Sequence, residues 1–492
     1  MRIGVVLSAV FLALSVLGNP VSSAQASPWA EVGDNQLRSD IQTLASADVV
    51  DGITSHWPLS WNSLIGKIDQ AQLDQQPLSV QLAAARVRER ARSETAEGAA
   101  VSLYADFTNR PSVVYGFDGM GRGDGQVQLS VEGNSGIFSG RLSVGAITRN
   151  FGGKPNKLML DGTYAAMQLG GVRLYAGYLD HWWGPGENSA LSLSNNARPI
   201  PQIGIERSST SASSWPILRW LGPWQWQFFV GILDGPQVQS NVLYNAMHLT
   251  INPLPGLELG VSKTEQFCGK GNPCSPIKDY LTNIDFSTHP NNVNGQGSFE
   301  AKYNNSLAGI PVQIYAQLMN EDYSLIHNSG TSHLFGAGIF LPTDGNPVKL
   351  TVEFTDSVAT KTMFAFGTRR YGFSYQDYEF PDGMHYRGRT LGFSLDNDST
   401  LLSVQGSWTD TANRFYQLGL HHAAIGNSRS LGWNIISPTP VRLNLAEARV
   451  SLPLEWTGNR MRLDLAGRLQ DDQPRPSRGF AAGIEVALRM NL

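Results

Sequence analysis

From about Val101 onward the chain alternates apolar and polar residues with a period of two, as strands with one face in each of two environments do. Between Pro311 and Met319, Val312, Ile314, Ala316 and Leu318 alternate with Gln313, Tyr315 and Gln317. Val172, Leu174, Ala176 and Tyr178 share one face in the same way, as do Trp226, Phe228, Val230 and Ile232 against Gln225 and Gln227. The pattern returns in Leu402, Val404, Gly406 and Trp408 against Ser403, Gln405 and Ser407. Opposite Met461, Leu463, Leu465, Gly467 and Leu469 lie Arg462, Asp464 and Arg468. A continuous apolar face backed by a charged one predicts an all-β transmembrane barrel, its outside in lipid and its inside wet. A soluble sandwich or propeller also alternates and is the rival architecture.

Residues 34 to 97 follow a period near 3.6 instead. Asp34 is placed to cap a helix with the stripe Leu37, Ile41, Leu44 and Ala45. Ser60 is placed to cap a second, with Trp61, Leu64, Ile65 and Ile68 on its apolar face. Pro77 opens a third helix of about five turns. It carries Leu78, Leu82 and Ala85 with Val80, Ala84 and Val87, beside a polar flank from Arg86 to Glu94. Such a bundle of about 65 residues is too small for secure stability alone, and so is expected to pack on the rest.

Upstream, Arg2, the apolar run Ile3 to Leu17 and Ala24-Gln25-Ala26 read as an export signal cut after Ala26; an uncleaved anchor is the alternative. The expected organisation is a signal over 1–26, a helical bundle over 27–97 and a barrel over 98–492. No later run of about 18 apolar residues occurs, which excludes a bundle of transmembrane helices. With 41% hydrophobic and 16% charged residues in 492, the chain is not disordered. Its formal charge of −4, becoming −5 when Arg2 is lost, lacks the basic footprint of a nucleic-acid binder. Cys268 and Cys274 are expected to form a local disulfide, since export leads to an oxidising compartment and two thiolates alone make a poor zinc site. No metal or cofactor is expected.

The last strand places Ile484, Val486, Leu488, Met490 and Leu492 on one face and Glu485, Arg489 and Asn491 on the other. It resembles the terminal strand of bacterial outer-membrane barrels, which closes the barrel and acts as an assembly signal. Many of those end in Phe, where this chain ends in Leu. The 392 residues from 101 to 492 make about 16 to 20 strands at roughly 20 to 25 residues each, and an even number near 18 is expected.

Two segments are more specific. His181-Trp182-Trp183-Gly184-Pro185-Gly186-Glu187 is followed by Asn195-Asn196-Ala197-Arg198-Pro199, and then by Trp215-Pro216-Ile217-Leu218-Arg219-Trp220-Leu221-Gly222-Pro223-Trp224. Together with Asp34 to Ile41 and Trp57 to Ser60, they resemble the capsule-assembly outer-membrane proteins of the Wzi family, from about residue 33 to the end. The resemblance implies a monomeric 18-stranded barrel with a periplasmic N-terminal bundle, a lectin that holds polysaccharide and catalyses no reaction.

A glycan binder needs flat aromatic faces for C–H groups and fixed polar or cationic groups for hydroxyls and acids. Trp182, Trp183, Glu187, Arg198 and Arg207 are the candidate set. The rival reading makes Trp-Trp-Gly-Pro-Gly a tight turn with its tryptophans at the membrane interface. Trp215, Trp220, Trp224 and Trp226 read as girdle residues. Candidate ligand loops are 116–125, 268–297, 371–389 and 421–440; the third mixes Tyr371, Tyr375, Tyr378 and Tyr386 with Arg387 and Arg389. Catalytic motifs are absent, and His421 and His422, adjacent in a strand, face opposite ways. The function expected is polysaccharide binding in capsule or exopolysaccharide assembly at the outer membrane. Membrane lipid and polysaccharide-export machinery are the further partners. A sugar or anion channel lined by Arg198, Arg207, Arg462 and Arg468 is the alternative, and a barrel-embedded hydrolase the third reading.

Overall fold

The computed structural model describes residues 27–96, 98–148, 158–216, 218–235, 237–274, 292–321, 330–341, 343, 347–363, 367–426, 434–437, 439–456, 459–474 and 479–492. The expected signal, residues 1–26, lies outside them. Eighteen long antiparallel strands, from Gly98–Thr108 to Ala481–Asn491, close into a barrel. Closure joins the two ends of the strand series, with Glu485 opposite Thr108 and Asn491 opposite Ser102.

Period two decides which way each side chain points. Ile314, Leu402, Val404, Leu469 and Ile484 face outward and are exposed, while their neighbours Gln313, Ser403, Gln405, Arg468 and Glu485 are buried inside. Apolar outside and polar inside is the reverse of a soluble protein, and it identifies the outer surface as lipid-facing. Trp215 and Trp220 are also exposed, within the connection 208–223.

The two ends of the barrel differ. At one end, strands turn in two residues at Gly136-Ile137, Gly170-Gly171, Pro255-Gly256 and Ala308-Gly309. At the other they are joined by long connections, among them 109–124, 179–200 and 361–399. Outer-membrane barrels keep short turns periplasmic and long loops outside. The bundle sits at the end of the short turns, where the Ser60 hydroxyl donates to Ser208 O (2.8 Å) and Thr210 N–H donates to Ser63 Oγ (3.0 Å).

The bundle consists of α1 (Asn35–Ser46), α2 (Trp61–Ile68) and α3 (Leu78–Thr95). Asp34 caps α1 by accepting from Leu37 N–H at 3.0 Å. Ser60 holds the N-cap position of α2, but its hydroxyl is spent on the barrel connection. The expected stripe of α3 is corrected in part: its buried face runs Val80, Ala83, Ala84, Val87, Ala91 and Glu94, and Leu78 is exposed. At about 100° per residue, Leu78 lies roughly 200° around the helix from Val80.

An 18-stranded barrel is wide enough for an aqueous channel. Here three inserts occupy the lumen. The N-terminal segment enters from the bundle end, with Trp29 Nε1 donating to Glu206 (2.5 Å) and the Thr54 and Ser55 N–H groups donating to Glu258 (2.9 Å each). The connection 179–200 folds inward from the opposite end, and part of 371–399 packs against it. Trp183, Leu191, Leu193, Tyr375, Phe393 and Leu395 form an apolar core inside the barrel, and Trp57, Trp182 and Phe117 join the bundle's core.

Candidate functional site

The plug is built on the turn Gly184-Pro185-Gly186-Glu187. Before it, Trp182 and Trp183 pair antiparallel with Trp57 and His56 of the N-terminal segment. Trp182 Nε1 donates to Gly186 O at 3.0 Å and closes the turn on itself. Gly186 is required by space, since a Cβ there would lie 2.2 Å from Ser189 O. The Arg38 guanidinium, from α1, lies over the Phe117 ring and donates to Gly186 O at 2.7 Å.

Glu187 ties three parts of the molecule together. Its carboxylate accepts from Lys349 Nζ on the barrel wall (2.6 Å) and from Gln42 Nε2 on α1 (2.9 Å), and lies 3.6 Å from Arg38 Nε. Burial raises the carboxyl's pKa, but the cations Arg38, Lys349 and Lys302 outweigh it and hold Glu187 ionised, well below the usual range. Glu353 on the wall accepts from the Glu187 N–H (2.6 Å) and the Asn188 N–H (3.1 Å). Beyond the turn, Gln317 accepts from Leu191 N–H at 2.8 Å and donates to Trp183 O at 3.0 Å. Burial pushes the His181 imidazole down to about 4, so that this ring, stacked on Phe229, is neutral at pH 7.

The residues singled out by sequence therefore hold unequal positions. Trp182 and Trp183 are both 0% exposed, so neither indole offers a free face to a polymer in this structure, and neither lies at the membrane interface as the turn reading expected. Tertiary packing around the N-terminal segment is the reason. Glu187 is also buried. Arg198 is buried with its guanidinium on Asp161 (2.6 Å). Arg207 lies apart at the bundle end, over the Trp224 ring and donating to Trp224 O at 2.6 Å. Cys268 and Cys274 are joined as a disulfide.

The loop 371–389, a candidate ligand loop from the sequence, folds inward over much of its length. Tyr375, Tyr386 and Arg389 are buried, with the Tyr375 hydroxyl donating to Leu191 O and Arg389 donating to Asn196 Oδ1, while Tyr378 is exposed. Parts of the loops 268–297 and 421–440 lie outside the described residues. His421 points inward and His422 outward. Ser403 Oγ lies 2.8 Å from His421 Nδ1, and both side chains are buried in the wall. Among the described residues no cluster of three His, Cys, Asp or Glu is placed to hold a metal ion.

Sequence reasoning missed the partners Arg38, Gln42, Lys349 and Glu353, which lie far from Glu187 in the chain and bear no local pattern. It also missed a cavity of about 960 Å³ between the plug, the bundle and one side of the wall. Tyr104, Gln126, Gln128, Asp161, Asp180 and Arg489 line it, and Arg198 supports it through Asp161.

These features define a plugged, membrane-spanning β-barrel whose lumen is committed to a fixed insert. The chain belongs to the capsule assembly protein Wzi family, whose model matches residues 93–471. An uncharacterized 55.8 kDa protein of the cps region of Klebsiella pneumoniae is 28% identical over 302 residues, covering 60% of this chain and 58% of that protein. Among solved structures, Wzi of Escherichia coli shares the fold with a TM-score of 0.80 at 22% identity, over 94% of this chain and 99% of that one. That protein is described as an outer membrane protein involved in group 1 capsule assembly and as a carbohydrate-binding β-barrel.

Proposed function

We propose that this protein binds exported polysaccharide at the outer membrane as a non-enzymatic factor in capsule or exopolysaccharide assembly. The observation that carries the reading is the Glu187 junction. A plug bonded at once to the bundle and to the wall suits a rigid binding platform, whereas conduction needs an open path. Family membership and the likeness to a carbohydrate-binding barrel support the same reading. Trp182, Trp183 and Glu187 serve it by holding the plug, and Arg198 by fixing Asp161. The barrel works as a monomer in lipid, with polysaccharide-export machinery as its partner.

The test is retention of the producing strain's own capsular or exopolysaccharide by the detergent-purified protein, with folding checked by heat-modifiable gel mobility. Folded protein is expected to retain polymer and to conduct poorly in liposomes. Folded protein that retains none and conducts ions or sugars would establish a channel instead.

A further inference from the structure

The connection 208–223, at the end of the barrel where the bundle sits, puts two of its tryptophans on the surface instead of packing them. Trp215 is 59% and Trp220 66% exposed. The segment is nonetheless firmly built. Trp224 N–H donates to Thr210 O (2.9 Å) and Asn252 N–H donates to Pro223 O (2.8 Å). Within it, Leu218 N–H donates to Trp215 O (3.0 Å) and Gly222 N–H to Arg219 O (3.1 Å). Arg219–Leu221 is a single 3₁₀ turn packed on the strand Val242–Leu254. Gly222 seats it there, since its φ is +62° and a Cβ would run into Asn252 O.

What this turn extends is the lipid-facing surface. Trp224 and Trp226 alternate with the buried Gln225 and Gln227, so they face outward, and they stand opposite Ile251 and Leu249 of the next strand. The same strand ends in Leu254, 61% exposed and paired with Leu257, two residues beyond the Asn252 that holds the turn. From 208 to 223 the chain holds no Asp or Glu and one cation, Arg219. Arg219 is exposed and makes no ion pair among the described residues. At the boundary of a bilayer, indole rings sit at headgroup level and a guanidinium matches phosphate oxygens. In water the same two rings would be exposed apolar surface with nothing to cover them.

We propose that the connection 208–223 is a membrane foot, with Trp215 and Trp220 in the lipid at the short-turn end of the barrel and Arg219 bound to the phosphate of a glycerophospholipid headgroup. Its base is tied to the bundle, since Ser208 O accepts from the Ser60 hydroxyl and the Thr210 hydroxyl donates to Asp51 (2.6 Å). The foot thus fixes the height of the bundle against the bilayer. This inference goes beyond the polysaccharide-binding reading and does not depend on it.

The chain has no free cysteine, so Ser214→Cys gives one thiol beside Trp215 and leaves both tryptophans in place. Labelled with the fluorophore NBD, the full-length variant is reconstituted in vesicles of phosphatidylethanolamine and phosphatidylglycerol. The label is expected to be quenched by lipids carrying a nitroxide near the headgroup and to be shielded several-fold from aqueous iodide. A label at Gln75→Cys, on the exposed side of the bundle, is expected to be open to iodide. Adding Trp215→Ser and Trp220→Ser to the Ser214→Cys chain should restore iodide quenching, with folding checked by heat-modifiable mobility. For the headgroup, native mass spectrometry follows binding of dimyristoylphosphatidylglycerol to the detergent-purified protein. Arg219→Gln is expected to weaken the tightest-bound lipid about tenfold, the loss of one charge-assisted contact. A label at Ser214→Cys that is open to iodide, or shielded from both quenchers, would overturn the foot. Equal lipid retention by Arg219→Gln would overturn the phosphate site.

Discussion

Lys349 Nζ stands 2.6 Å from Glu187 Oε1, an ion pair between the wall strand Val348–Thr360 and the turn of the plug, with both side chains buried. Gln42 of α1 bridges the same two groups, donating to Glu187 Oε1 at 2.9 Å and accepting from Lys349 at 2.6 Å. One carboxylate thus couples bundle, plug and barrel. The predictions below turn on that coupling.

Removing one partner of a buried pair leaves the other charged and unsolvated, at a cost of about 3–5 kcal/mol. Glu187→Gln strands Lys349 and Arg38 in this way. It is expected to lower the unfolding midpoint, followed by tryptophan fluorescence in detergent, by an amount in that range. The double variant Glu187→Gln/Lys349→Met should recover part of the loss. A double variant no better than the single would show that Lys349 is not the group at issue.

Gly186→Ala tests the turn by shape alone. The added Cβ would meet Ser189 O at 2.2 Å and Leu334 Cδ1 at 2.8 Å, both inside a packed lumen. The expected result is a barrel that still shows heat-modifiable mobility but whose residues 179–200 become open to added proteinase. Gly467→Ala, with nothing within 4 Å of the new atom, is the neutral control.

If the plug is what fills the barrel, removing it should open a path. Replacing residues 181–197 with a short Gly-Ser linker is expected to raise single-channel conductance in planar bilayers well above that of wild type. Unchanged conductance would mean that the remaining inserts close the lumen by themselves.

The bundle has its own pH dependence. Burial pushes the Glu94 carboxyl up to about 7, opposed by the Arg90 guanidinium and reinforced by Glu31 and Glu132. Between the ordinary carboxylate range and about 7 the folded chain keeps a proton that the unfolded chain has released. Stability therefore falls as pH rises through that window and levels off above it. Amide exchange in α3 is expected to be faster at pH 8 than at pH 5.5, after correction for intrinsic rates, and Glu94→Gln should flatten the difference.

Particular elements show how far the chain could be read in advance. The alternation around Ile314, Val404 and Ile484 told which residues face lipid, because a strand in a two-sided environment leaves its imprint on every second position. The stripe of α1 and the cap at Asp34 were equally plain. The Trp-Trp-Gly-Pro-Gly segment was conspicuous, but its placement was not legible. An inward loop and a surface loop share the same Gly, Pro and aromatic content, and nothing local says that Trp182 will pair with Trp57. Tyr375 and Arg389 carried the same ambiguity, and packing decided it.

By itself, the sequence determined the period of the strands, their outward and inward faces, the helical opening and the family. Each is a repeating or local property, written wherever the environment repeats. The tertiary structure alone decided that the lumen is filled, that Glu187 meets Arg38, Gln42 and Lys349, and that Gln126, Asn195 and Arg489 share a cavity. Those meetings depend on barrel closure and on loops folding back through it. Each joins residues whose separation along the chain bears no relation to their separation in space.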